Sequence, residues 1–191
     1  MMKRSITFFV SLAAILFSAP VGLAQQPKAL FYMTREPKSV RSFLAHADKV
    51  DLLVPAWYSV DADGLLSGGP NPLALETAKQ HHVPVMPIVA NGDFAQEDFH
   101  KLLKNATATE SMIGALIRAC KENGYTGFQF DFENVHWTDR DALSQLVQEA
   151  AIAFHREGLQ LTIATVPNAP GEPGRADFRR GFMKTGGERM T

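Results

Sequence analysis

The feature that most restricts this chain is a repeated switch of hydrophobic period between strand-like runs and helix-like stripes. Five short apolar runs fall at 29–34 (ALFYMT), 50–60 (VDLLVPAWYSV), 83–90 (VPVMPIVA), 127–132 (GFQFDF) and 159–166 (LQLTIATV). Between them lie segments with apolar residues at helical spacing: 39–47, 73–82, 94–104, a stretch built on Met112, Ile113, Leu116, Ile117 and Cys120, and another on Leu143, Leu146, Val147, Ala150 and Phe154. Thr107 with Glu110, and Thr138 with Asp141, mark the starts of the last two helices. Gly124 and Gly158 mark their ends. The predicted order is βαβαβαβαβ, which demands parallel strands joined by right-handed crossovers. An open doubly wound sheet and part of a (β/α)8 barrel both satisfy it. No glycine-rich phosphate loop follows the first strand, where a dinucleotide-binding domain needs one.

The N-terminus has a different character. Lys3 and Arg4 precede an apolar run from Ile6 to Phe17, and Gly22 and Ala24 place small residues before Gln25. Residues 1–24 read as a signal peptide, and the protein as secreted or periplasmic, with no stable membrane span after signal removal. The rest has globular proportions, with 46% hydrophobic and 20% charged residues. A net charge of −1 argues against nucleic acid as a partner. The single cysteine, Cys120, excludes an internal disulfide and a zinc-finger framework. His81, His82 and His100 show no metal-ligand pattern.

Chemistry concentrates on the fourth run. Along Gly127-Phe128-Gln129-Phe130-Asp131-Phe132-Glu133 the three phenylalanines point one way and Gln129, Asp131 and Glu133 the other. Carboxylates two residues apart on a strand stand roughly 6–7 Å apart at Cα. Their repulsion in a water-poor cavity favours keeping one of them protonated, as a general acid requires. Ordinary amphipathicity of a strand with one solvated face would give the same alternation. Helical segments on both sides in sequence point instead to a central strand covered on its apolar face. Trp57, Tyr58, Asn91 and Trp137 also fall at or after strand ends, the edge where barrel active sites form. Core or rim packing is the competing role for Trp57 and Tyr58, a helix-start staple for Trp137, and a turn cap for Asn91. Cys120 on its apolar stripe reads as core, and the sequon at Asn105 as a helix entry.

The segment 125–133 resembles the fourth-strand signature of family 18 glycoside hydrolases, the chitinase-like enzymes, in which Asp-Gly-x-Asp-x-Asp-x-Glu carries apolar residues at x. Gly127, Asp131 and Glu133 match; Thr126 and Gln129 replace the first two aspartates. Asn134 and Val135, Ala56-Trp57-Tyr58 and Ile88-Val89-Ala90-Asn91 are similar to the spore-cortex and peptidoglycan N-acetylglucosaminidase branch. The resemblance implies an α/β fold, a partial (β/α)8 TIM barrel with about five βα units. It also implies substrate-assisted, retaining cleavage of β-1,4-linked N-acetylglucosamine-containing glycans, with no metal or organic cofactor. Glu133 would be the acid and Asp131 would orient the substrate acetamido group. Gln129, Trp57, Tyr58, Asn91 and Trp137 would bind substrate, and an N-acetylglucosamine-containing polysaccharide would be the partner. The expected domains are the signal peptide at 1–24, an incomplete barrel at 25–167 and an irregular tail at 168–191. No sixth-strand tyrosine or late tryptophan of the family pattern is found after Pro167. A non-catalytic carbohydrate-binding protein on the same scaffold is the rival expectation.

Overall fold

The computed structural model describes residues 28–165. The expected signal peptide and C-terminal tail lie outside the described residues. Five parallel strands form one curved sheet: β1 (Leu30–Met33), β2 (Leu52–Val60), β4 (Ile88–Asn91), β5 (Gly127–Asp131) and β6 (Gln160–Ile163), in the spatial order β1-β2-β4-β5-β6. Each expected run supplies one of them. A sixth strand, β3 (Leu66–Gly68), folds back antiparallel on β2 through the turn at Asp61–Gly64. Three residues are too few to register as a period, so sequence patterning gave no sign of it.

Helices α1 (Pro37–His46), α2 (Pro72–Gln80), α3 (Gln96–Lys104), α4 (Ala106–Asn123) and α5 (Arg140–Arg156) fill the crossovers. Their starts follow local chemistry. Pro37 and Pro72 open α1 and α2, where a missing N–H costs nothing. Asn71 caps α2 by accepting from Ala74 N at 3.0 Å. Asn105 caps α4 by accepting from Ala108 N at 3.2 Å, so this helix begins two residues before the expected Thr107 signal. Gly124, left-handed at φ 75°, closes it as expected. The Thr138 signal is also displaced. His136 Nδ1 accepts from Thr138 N at 3.3 Å and caps a 3₁₀ turn at Trp137–Asp139, after which α5 begins.

One face of the sheet is buried against the helices. Phe43, Leu53, Val89, Leu102, Met112, Leu116, Phe128, Phe130 and Phe154 are all fully buried there. Pro84 and Pro87 shorten the third parallel strand, because neither can donate to a ladder. Their carbonyls still serve its neighbours, accepting from Leu53 N at 3.0 Å and Gln129 N at 2.9 Å. Gly127 is required by close approach: a Cβ there would stand 1.8 Å from Gln160 O on β6.

The other face is concave. A flat sheet would set β1 and β5 about 14 Å apart, three strand spacings. Yet Tyr32 Oη on β1 accepts from Gln129 Nε2 on β5 at 3.3 Å. The sheet therefore curls as a barrel wall does, and with β1 and β6 at its two edges among the described residues the fold is a partial (β/α)8 barrel.

Candidate functional site

Strand β5 is central, between β4 and β6, and its two faces divide as the alternation requires. Phe128 and Phe130 lie wholly inside the helix-covered layer, and Phe132 packs on Phe99 and Phe130 with ring centroids 4.6 and 4.8 Å away. Gln129 faces the concave side and is buried, Asp131 is half-buried, and Glu133 is exposed. Exposure thus rises toward the C-terminal edge of the sheet, with Glu133 at the rim. This corrects one expectation. Among the described residues the two acids do not share a water-poor cavity, because Asp131 is only half-buried and Glu133 is exposed.

Glu133 lies beyond the end of β5, and one side chain holds its backbone. Asn91 Nδ2 donates to Glu133 O, and Glu133 N donates to Asn91 Oδ1, both at 3.0 Å. The next residue is braced from α3 and the loop before it: Gln96 Nε2 donates to Asn134 O at 3.0 Å, and Asn134 Nδ2 donates to Phe94 O at 3.2 Å. A second brace follows. His100 Nδ1 lies 2.8 Å from both carboxylate oxygens of Asp139, whose side chain is 1% exposed. It ties α3 to the turn that leads from Glu133 into α5.

The residues expected to bind substrate separate into three groups. Gln129 stands beside Asp131 on the concave face, and Trp137 is half exposed at the start of the turn after Glu133. Asn91 is buried and engaged with the Glu133 backbone, so its amide is not offered to a ligand. Trp57 and Tyr58 are not brought to the Asp131 face. A register shift between Ala56 and Tyr58 pairs Tyr58 with Val89, on the helix-covered side. Trp57 is buried against Tyr125 at 6.0 Å, and Tyr58 meets Tyr125 and Phe128 at 6.3 and 5.3 Å. Ala56 pairs with Ile88 on the Gln129 side, and the extra residue Trp57 turns Tyr58, which alternation would have pointed inward, to the helix-covered side; Gly69 N donates to the Trp57 carbonyl at 3.1 Å. Tyr58 Oη and Tyr125 Oη lie 3.2 Å apart, and burial pushes both phenols above their ordinary range. Burial likewise pushes the Cys120 thiol up to about 12.

One residue of this edge escaped the sequence reading. Phe94 is 44% exposed in the loop after β4. It and Asp93 both have left-handed backbones, at φ 52° and 48°. The helix expected over 94–104 starts instead at Gln96, because a 3₁₀ turn at Gly92–Phe94 takes in Phe94. Among the described residues no group of three histidine, cysteine or acidic side chains gathers to hold a metal. No described helix is long and apolar enough to cross a membrane.

Comparison with known proteins bears on this arrangement. The profile of the glycosyl hydrolases family 18 matches residues 28–179. The cortical fragment-lytic enzyme of Bacillus subtilis (strain 168) is 26% identical over 113 residues, 58% of this chain and 26% of that protein. The spore cortex-lytic enzyme SleL of Bacillus megaterium QM B1551 superposes with a TM-score of 0.69 at 24% identity, over 77% of this chain and 36% of SleL. A class V chitinase from Pseudomonas fluorescens Pf-5 superposes with a TM-score of 0.68 at 24% identity, over 77% of this chain and 47% of the chitinase. The chain spans less than half the length of each of these three. With a family profile matched across most of its length and a sheet that curls as its solved relatives' do, the chain belongs to glycosyl hydrolases family 18.

Proposed function

We propose that this protein is an exported glycoside hydrolase acting on β-1,4-linked N-acetylglucosamine-containing glycans. Peptidoglycan is preferred over chitin, and action is secreted or periplasmic. The observation that carries the reading is the graded polar row of β5. Gln129 is buried, Asp131 half-buried and Glu133 exposed at the C-terminal edge of a curled parallel sheet. Relatives named for spore-cortex lysis support the choice of peptidoglycan, as does the Asp131-Phe132-Glu133-Asn134 sequence.

In this reading the reaction is substrate-assisted and retaining. The 2-acetamido oxygen attacks the anomeric carbon as the glycosidic C–O bond breaks, and Glu133 gives its proton to the leaving oxygen. Asp131 orients the acetamido group and stabilises the positive charge of the oxazolinium ring. Water then opens that ring at the anomeric carbon, losing a proton to Glu133. Carboxylate spacing is no guide to stereochemistry in this family, because the nucleophile belongs to the substrate. Gln129, whose Nε2 donates to Tyr32 Oη at 3.3 Å, is able to hydrogen-bond a neighbouring carboxyl but cannot share a proton with Asp131. Trp137 and Phe94, half exposed on either side of the Glu133 loop in sequence, supply apolar faces for sugar rings.

The exposure of Glu133 favours a second reading, a carbohydrate-binding protein on the same scaffold, since an exposed acid lacks the dry surroundings that sharpen proton transfer. Turnover of a chromogenic N-acetylglucosamine oligomer by the wild-type chain and by Glu133→Gln separates the two. Hydrolysis by the wild type, reduced roughly 100-fold or more in the variant, is the expected result. Equal rates remove Glu133 as the acid. Binding without turnover in either selects the binding protein.

A further inference from the structure

Glu133 is held where the sheet can no longer hold it. The β4–β5 ladder ends with the pair Ala90–Asp131, two residues short of Glu133. Beyond that point the Asn91 side chain takes over, donating to Glu133 O and accepting from Glu133 N, both at 3.0 Å. A carboxamide carries the same donor and acceptor as a peptide unit. The side chain therefore acts as one more rung of the ladder, placed from β4 where the backbone has turned away into Gly92–Phe94. Asn91 is 3% exposed, so water competes poorly for either bond.

Only asparagine satisfies this pair. Aspartate keeps the acceptor but sets a carboxylate against the Glu133 carbonyl. Leucine offers neither group, and glutamine is one methylene too long. Both bonds go to the residue whose carboxyl stands at the rim, rather than to any convenient neighbour. The bracing continues one residue on, where Gln96 Nε2 reaches Asn134 O at 3.0 Å and Asn134 Oδ1 at 3.4 Å. Asn134 itself is left-handed, at φ 55°. Such a conformation persists where its surroundings over-determine it, and here two amides do so.

We infer that Asn91 is a positioning residue for Glu133, fixing the direction in which its carboxyl leaves the strand end, with Gln96 as an outer support through Asn134. The inference rests on Glu133 being the general acid. Its consequence is selective: loss of the Asn91 amide misplaces the acid without removing the groups that bind sugar, so kcat falls while KM holds.

The test uses the full chain, with kinetics on a chromogenic N-acetylglucosamine oligomer and amide hydrogen exchange by NMR. In the wild type the Glu133 N–H is expected to be protected although it lies outside the strand. Asn91→Ala should abolish that protection, leave the Phe128 and Phe130 amides protected, and lower kcat roughly 10- to 100-fold with KM within about twofold. Unchanged kcat, or a loss of protection spread over all of β5, overturns the inference. Should Asn91→Ala fail to fold, Gln96→Ala, altered at the surface, takes its place. A several-fold lower kcat at constant KM supports the inference, and an unchanged kcat overturns it. If the wild-type chain hydrolyses nothing, it is the hydrolase reading that fails. The hold on Glu133 is then judged by exchange alone: faster exchange confined to Glu133 sustains it, and an unchanged Glu133 amide refutes it.

Discussion

At the scale of the residue, the proposed chemistry rests on side chains placed by strand alternation, and each has a separable consequence. In the proposed reaction Asp131 stabilises a cation that exists only during turnover, so Asp131→Asn should depress kcat by roughly 100-fold while oligomer binding stays within a few-fold, measured by kinetics and calorimetry. Cys120 is a contrasting case. It is 1% exposed and its thiol is held up to about 12, so iodoacetamide at pH 8 should leave the folded chain unmodified and react on denaturation. Mass spectrometry reads the difference. The Asp131, Glu133 and Gln129 positions were legible in the sequence because a period of two needs no knowledge of neighbours. Trp57 and Tyr58 were not, because a single bulged residue reverses every later side chain, and nothing in the residue types announces it.

At the scale of the element, β5 and the turn that follows it depend on two contacts made far away in sequence. A Cβ at Gly127 would meet the β6 backbone at Gln160 O, so Gly127→Ala must push the strands apart. A loss of roughly 2–3 kcal/mol in chemical denaturation is expected, the cost of a forced backbone shift in a packed sheet. The second contact is the His100–Asp139 pair. His100→Ala strands a fully buried carboxylate, at an expected cost of about 1–3 kcal/mol. The half-exposed histidine keeps this below the loss seen for pairs buried on both sides. Asp139→Asn should restore part of the loss in the double variant, since a neutral amide is cheaper to leave buried. Helix ends show the same division of legibility. Gly124 and Gly158 ended helices where the sequence pattern placed them. The α4 and α5 starts moved because Asn105 and His136 caps competed successfully with the threonine signals.

At the scale of the whole molecule, the described residues build a curled wall of five parallel strands with one face packed under helices. The packed face carries the cluster of Tyr58, Tyr125 and Cys120, whose ionisation burial opposes. In each, the folded chain prefers the neutral form more than the unfolded chain does. Their contribution is therefore complete below the ordinary values of 9.0 for the thiol and 10.0 for the phenols, and is lost as pH rises beyond them toward the folded values. Thermal melting should show Tm flat from pH 7 to about pH 9 and falling above it, with Cys120→Ser shifting the onset toward pH 10. The parallel wall itself was readable from alternating periods. Its curl was not, because the Tyr32–Gln129 contact joins residues 97 apart and depends on the summed twist of four strands.

In the proposed function the concave edge of β5 receives an N-acetylglucosamine glycan with its scissile bond at Glu133. The most direct measurement is a crystal structure of Glu133→Gln with an N-acetylglucosamine oligomer. The expected complex has the residue 133 amide within about 3 Å of a glycosidic oxygen and the acetamido group of the preceding sugar against Asp131. An oligomer bound elsewhere on the molecule, or ordered on this edge with its acetamido group turned away from Asp131, would contradict it.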